Sequence, residues 1–268
     1  MARQTGPLKY KGNIGGVRHF KIKGLKGSFA GMAGGASAEQ IKTAPEFKRT
    51  RENMNEFAGC ATAGKSVRVG LSSLMQTMSD SRLTGRLTAI MKKINLEDQS
   101  EARGQRAILI SEQTQYLKGL VFNKSVNFNS MFTGSVRMTP TASRTGVNAI
   151  ISYNLSTNIN APLGATHFRL VLAVSAISDF IYNADTKMYE PANPTLNEKS
   201  TVSYMPEIAI GGGGSITSNQ DCQLPSSITS LTDDTSLIAC VGIEFLQQVS
   251  GNYYLLSSGN ALKIVDIF

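Results

Sequence analysis

The sequence predicts an α+β chain, in which a basic N-terminal hairpin and helical region is followed by an antiparallel β-sandwich of immunoglobulin- or fibronectin-like kind. Three observations carry this. Residues 1–118 hold 20 Lys and Arg against 9 Asp and Glu, a net +11, whereas residues 119–268 hold 7 against 10, a net −3. One long apolar stripe at helical spacing, Leu83, Leu87, Ile90, Met91 and Ile94, lies in the basic part. Beyond Lys118 the chain changes to short segments rich in Val, Ile, Tyr, Phe and Thr, punctuated by Gly, Pro, Asn and Ser. A division into 1–118 and 119–268 follows.

In order, Leu8 to Lys11 and Val17 to Lys23 alternate apolar and basic residues around a turn of Gly12, Asn13, Gly15 and Gly16, which predicts a hairpin. Alternate residues of a strand share a face, so Lys9, Lys11, Lys21 and Lys23 are expected together. Such a face serves phosphate contact or keeps an edge hairpin soluble. Gly24 to Ala36 reads as a flexible link or an extended arm along a partner. Ser37 with Gln40 forms a helix-start box, and Pro45 suits the first turn of a further helix crowded with Lys48, Arg49 and Arg51. Ser79 or Asp80 opens the helix bearing the apolar stripe, whose burial alone accounts for those residues.

The strand segments are Gly119 to Phe128, Gly134 to Thr139, Val147 to Asn154, Thr166 to Ile177, Thr201 to Ile208, Leu237 to Val249, Tyr253 to Ser257 and Ala261 to Phe268. Ser250-Gly251-Asn252 is expected to turn a final hairpin, and Asn183 to Ser200 and Gly211 to Gly214 to be loops.

Gly59-Cys60-Ala61-Thr62-Ala63-Gly64-Lys65-Ser66 fits the phosphate-loop pattern G-x-x-x-x-G-K-[ST] letter for letter. A working phosphate loop joins a buried strand to a helix, and the residues before Gly59 are charged and helix-compatible instead. Nucleotide binding is therefore a minor expectation. The alternative is a helix or helix pair whose small residues let another element approach. Gly59 and Gly64 each cost a helix about 1 kcal/mol relative to alanine, so a break or kink between them is expected.

Other chemistries have no local signal. His19 and His167 are the only histidines and fall in different predicted domains. Asp233-Asp234 reads as solvated turn residues, and with no Trp the basic region lacks a base-stacking platform. Catalytic residues, cofactors and metals are accordingly not expected. Cys60, Cys222 and Cys240 read as buried free thiols, with a Cys222 to Cys240 bridge the alternative. No apolar run approaches the ~20 residues that span a bilayer. With no leader-like block after Met1, the expected place of synthesis is the cytosol. A virus-derived or exported assembly component would share these features.

Lys11-Gly12-Asn13-Ile14-Gly15-Gly16-Val17, Pro45-Glu46-Phe47-Lys48-Arg49-Thr50-Arg51-Glu52-Asn53, Ser79-Asp80-Ser81-Arg82 and Gly164-Ala165-Thr166-His167-Phe168 together resemble a family of uncharacterised proteins from Bacteroidota genomes. The resemblance spans most of the chain and implies no known activity or catalytic residue. That family has a longer basic Gly/Ala/Lys stretch where this chain has Gly59 to Ser66, which weakens the nucleotide reading.

The leading expectation is a non-enzymatic structural protein that assembles with copies of itself into a ring, tube or filament, basic region against acidic sandwich. The second is a DNA- or RNA-binding protein. Lys9, Lys11, Lys21, Lys23, Lys48, Arg49, Arg51, Lys65 and Arg68 are the candidate contacts with a polyanion or a neighbouring subunit.

Overall fold

The computed structural model describes residues 2–32 and 34–268. The fold is α+β, with a helical region ahead of several antiparallel sheets. Contacts divide the chain into two compact units, Met1–Arg51 and Glu52–Phe268. The compositional change at 118/119 falls inside the larger unit, because helices before it and strands after it share one apolar core.

The smaller unit is a four-stranded sheet of order β1-β4-β3-β2, from β1 (Ala2–Gln4), β2 (Gly12–Ile14), β3 (Val17–Phe20) and β4 (Ser28–Met32). Gly15 and Gly16 turn the β2–β3 hairpin at φ 56° and 78°, a conformation that costs glycine nothing. Helix α1 (Ala38–Thr43) opens on the expected box, with Gln40 N donating to Ser37 Oγ and Ser37 N donating to Gln40 Oε1. A 3-10 turn at Pro45–Phe47 leads into α2 (Lys48–Gly70).

In the larger unit α3 (Ser72–Met78) and α4 (Leu83–Glu97) follow, then the single-turn α5 (Phe128–Met131). The strands are β5 (Ser135–Pro140), β6 (Gly146–Asn154), β7 (His167–Ser178), β8 (Phe180–Asn183), β9 (Met188–Pro191), β10 (Ser200–Tyr204), β11 (Ile208–Ala209), β12 (Ser215–Gln223), β13 (Thr235–Val249), β14 (Asn252–Leu255) and β15 (Ala261–Ile267). The main sheet runs β10-β7-β13-β14, with β11 also on β7 and β15 also on β13. A second sheet runs β12-β6-β5, and β8 and β9 form a separate hairpin.

Side-chain alternation makes three layers of these pieces. Phe168, Leu170, Leu172, Val174 and Ala176 of β7, with Leu237, Ala239, Val241, Ile243 and Phe245 of β13, meet Val147, Ala149, Ile151 and Tyr153 of β6 in the core between the two sheets. On the opposite face Val171, Ala173, Ile177, Ile238 and Cys240 meet Cys60, Ala63, Val67, Leu74, Leu87 and Met91 from the helices. The main sheet is thus covered on both faces, and its two central strands read as near-continuous apolar runs for that reason.

Four expectations need correction. Gly119 to Phe128 is not a strand of the sheets: Gly119 to Phe122 runs irregularly along β15, with Gly119 N donating to Ile264 O and Phe122 N to Leu262 O. Asn183 to Ser200 holds most of a hairpin, and β12 arises from the polar sequence Ser215–Gln223. Gly24 to Ala36 contains β4. Finally, α2 continues unbroken through Gly59 and Gly64 and ends at Gly70, with the break at Leu71. A β-carbon on Gly59 would lie 2.4 Å from Tyr189 Cγ, and one on Gly64 would lie 3.3 Å from Leu87 Cβ. Packing outweighs the propensity cost, so the glycines mark close approach within a helix.

This gives a prediction of opposite signs. Gly59→Ala is expected to destabilise the protein by about 1–3 kcal/mol through overpacking on Tyr189. Gly85→Ala, in α4 with nothing within 4 Å of the new carbon, is expected to stabilise it by about 0.5–1 kcal/mol. Urea denaturation of both variants checks the pair.

Candidate functional site

The smaller unit holds 11 Lys and Arg against 2 Asp and Glu, a net +9. Its sheet shows why its lysines do not form one face. The ladder pairs Gly12 with His19, Asn13 with Arg18 and Ile14 with Val17, so Lys9 and Lys11 precede it and Lys21 and Lys23 follow it. An open groove of about 450 Å³ gathers Lys11, Asn13, Arg18, His19, Phe20 and Lys21. Lys9 and Lys23 do not line it. Arg18 stands 5.7 Å over the Phe20 ring, and Tyr10 packs against His19 at 5.8 Å between centroids. Sequence reasoning missed Arg18 because strict alternation puts it opposite Lys21; the ladder ends at Phe20 and releases the chain from that rule.

Among the described residues of this unit, only Ser28 is buried. Leu8 (73%), Tyr10, Ile14, Leu25 and Met32 (80%) are exposed, and the remaining apolar side chains are at best half-buried. Order comes instead from polar ties. Gln4 Nε2 donates to Phe29 O and Tyr10 N donates to Gln4 Oε1, at 3.1 and 2.9 Å. Arg51 donates through Nη1 to Ile41 O and Ala44 O, both at 2.8 Å, and so caps the C-terminal end of α1. Lys48 and Arg49 are exposed on the first turn of α2.

In the larger unit, Gly59 to Ser66 lies wholly inside α2. Its backbone N–H groups are therefore committed to helix bonds, and the phosphate cradle is not formed. Lys65 points to solvent, while Ser66 is buried and donates from Oγ to Glu198 Oε1 at 2.6 Å. Arg68 is half-buried.

Beside that helix lies a buried polar knot. Glu56, 1% exposed, forms an ion pair with Lys92 and accepts from Gly104 N at 2.8 Å. Lys92 also donates to Asn95 Oδ1, Asn95 Nδ2 to Arg106 O and Tyr189 OH to the same carbonyl. Asp98 accepts from Ser100 N and Oγ and from Ala107 N. Burial pushes the Asp98 carboxyl up, but these hydrogen bonds outweigh it and hold it below the usual carboxylate range. The knot fixes the 98–107 connection onto α2 and α4, which is a structural task.

The cavities nearby are small. About 280 Å³ lies by Glu97, Asp98 and Glu112, and about 210 Å³ lies between α2 and the β8–β9 hairpin at Gly59, Thr62 and Met188. Among the described residues no group of three or more His, Cys, Asp or Glu is placed to hold a metal. No helix of the described residues is long and apolar enough to cross a membrane. No protein-family model, curated protein or solved structure matches the chain.

The three cysteines are free and buried. Cys222 faces the core between the sheets and Cys240 the core under the helices, so no bridge joins them. Burial pushes the Cys60 thiol up to about 12 and the Cys222 thiol up to about 11, and raises Cys240 as well. Thiolate is the reactive form. The native protein is therefore expected to resist iodoacetamide at neutral pH and to label at all three cysteines once unfolded, as mass spectrometry will show.

Proposed function

We propose that this chain is a structural protein that assembles with copies of itself, its N-terminal unit being the connecting element. The observation that carries this is a folded, four-stranded sheet that buries no apolar side chain among its described residues, in a unit with a net charge of +9. Fixing each residue costs about 1–2 kcal/mol of backbone entropy. Small sheets offset that cost with an apolar face packed on something. Covering Leu8, Tyr10, Ile14, Leu25 and Met32 would supply on the order of 5–10 kcal/mol, enough to hold a subunit contact. The larger unit, which we read as an immunoglobulin- or fibronectin-like sandwich elaborated by a helical layer, provides the subunit's mass. Its buried free thiols suit a reducing compartment, and we take the cytosol as the place of synthesis.

A specific observation favours a second reading. Lys11, Arg18 and Lys21 line one groove, and the same unit carries Lys48 and Arg49 exposed on α2, a charge density suited to nucleic acid.

Sedimentation velocity at low salt decides the first reading. The full chain is expected to associate, and Leu8→Asp with Met32→Asp, both at solvent-facing positions, to shift it toward monomer. A wild type that stays a monodisperse monomer at high concentration overturns the proposal. For the second reading, binding of labelled duplex and single strand is expected to weaken with salt at a slope of about −0.9 per duplex phosphate neutralised. No shift of either probe at low salt removes it.

A further inference from the structure

The main sheet ends in a short strand whose edge carries no charge, no proline and no bulge. β14 is its outer strand, pairs only with β13, and exposes all four of its residues. Exposed edges are normally blunted by charge, proline or a bulge. From Phe245 to Leu262 the chain carries no charged residue and no proline, and the β13–β14 register, Leu246 with Leu255 through Val249 with Asn252, is regular. Three other edges are treated differently. β15 is lined by Gly119 to Phe122, β5 carries Arg137 and Pro140, and β12 carries Asp221.

The hairpin geometry shows which backbone groups are free. Ser250 and Gly251, at φ 51° and 86°, form a two-residue turn flanked by the Val249–Asn252 pair. In such a hairpin the flanking pair is hydrogen-bonded and the pattern then alternates. Asn252 and Tyr254 thus turn their N–H and C=O groups toward β13, while Tyr253 and Leu255 turn theirs outward. Leu256 N, donating to Phe245 O at 2.9 Å, continues the inward set.

We propose that a second copy of this chain pairs with β14 across a two-fold axis centred on Tyr254, so that the two main sheets run on as one. In this antiparallel register Tyr253 faces Leu255 of the second copy in hydrogen-bonded pairs, which uses the outward groups of both strands. Tyr254 faces Tyr254 of the second copy in a non-hydrogen-bonded pair, where side chains stand closest. One face gains two Tyr–Leu pairs and the other a Tyr–Tyr pair. The strand is therefore complementary to itself, and being uncharged it brings no like charges together, whereas a polyanion or a basic segment finds no counter-charge on it. The inference rests on the reading that the chain assembles with itself, but not on the N-terminal unit.

Cross-linking the full chain tests it. With the native thiols buried, Tyr254→Cys supplies an accessible sulfur and is expected to give a covalent dimer on mild oxidation. Asn252→Cys, whose symmetry mate lies about 13 Å away in this register, is expected not to. In the otherwise native chain, Tyr253→Pro removes an outward donor from each copy without touching the β13 ladder. It is expected to weaken self-association about tenfold, about 1.4 kcal/mol. Making Tyr254→Cys again with Leu8→Asp and Met32→Asp separates the two contacts. A dimer that persists there supports the β14 pairing even if the N-terminal reading fails. No dimer, equal dimer from both cysteines, or a dimer lost in the Leu8→Asp, Met32→Asp background overturns it.

Discussion

The antiparallel pairing of β7 with β13, from Thr235 opposite Ser178 to Leu246 opposite His167, is the constraint on which the larger unit depends. Both strands are buried on both faces over most of that ladder. Every other layer must therefore come to them: the β12-β6-β5 sheet on one side and the helices on the other. Close approach on the helical side is what selects glycine. Gly70 meets Ser175, Gly64 meets α4, and Gly242 of the sheet itself meets Met78 of α3. A β-carbon on Gly70 would lie 2.0 Å from Ser175 Oγ, and one on Gly64 or Gly242 would require its neighbours to give way in a densely packed core.

Layering helices on a sheet leaves their connections to be anchored by something other than apolar contact. Asp80 does this for α4: it accepts from Arg82 N, pairs with Arg86 and accepts from Lys124 N, while Arg86 reaches Val121 O and Phe122 O. Burial pushes the Asp80 carboxyl up, but its hydrogen bonds, with the Arg86 charge, hold it below the usual range. Its contribution is then present above the unfolded carboxylate pKa and is lost as pH falls through the folded value. Asp179 is the opposite case. Burial raises its carboxyl despite bonds from Ser111, so its shift favours the fold below the unfolded pKa and is lost as pH rises through the folded value. The Glu56–Lys92 knot is similarly placed where a loop meets two helices. Such buried pairs are costly to break and serve position more than net stability.

What was legible in the sequence follows from which residues obey a single period. Leu83, Leu87, Met91 and Ile94 sit on one buried stripe of α4 as their spacing requires, and β6, β7, β13 and β15 lie where β-branched and aromatic residues cluster. The Ser37–Gln40 box and the Ser250–Gly251 turn are local chemistry and were equally readable. β12 was not, because two of its four inward side chains, Ser218 and Gln220 beside Ile216 and Cys222, are polar, and pairing with β6 makes it a strand. The phosphate-loop pattern, a minor expectation, fails for the same kind of reason. Its glycines are spaced for a cradle, but whether they form one depends on Tyr189 and Leu87, which are distant in sequence. On the candidate interface, charge was legible as a sum, while its gathering around Arg18 and Lys21 depended on where a ladder stops.

The two proposed contacts differ in symmetry, and that difference determines what they build. Pairing through β14 is isologous: it uses Tyr253, Tyr254 and Leu255 of both copies and closes on itself as a dimer. A contact from the N-terminal unit to a different surface of another copy is heterologous, and it repeats unless rotation closes a ring. The first alone gives a dimer, and the second alone a ring or a single-stranded chain of subunits. Together they give each dimer two N-terminal units and two acceptor surfaces, so that a ring or filament grows from paired subunits. The energetics suit that division. The β14 pairing is apolar and backbone-directed and so is little affected by salt, whereas the N-terminal contact carries a net +9 and weakens as ionic strength rises. Salt would then remove the propagating contact first and leave the dimer as the stable intermediate, an order that follows from the placement of charge along this chain.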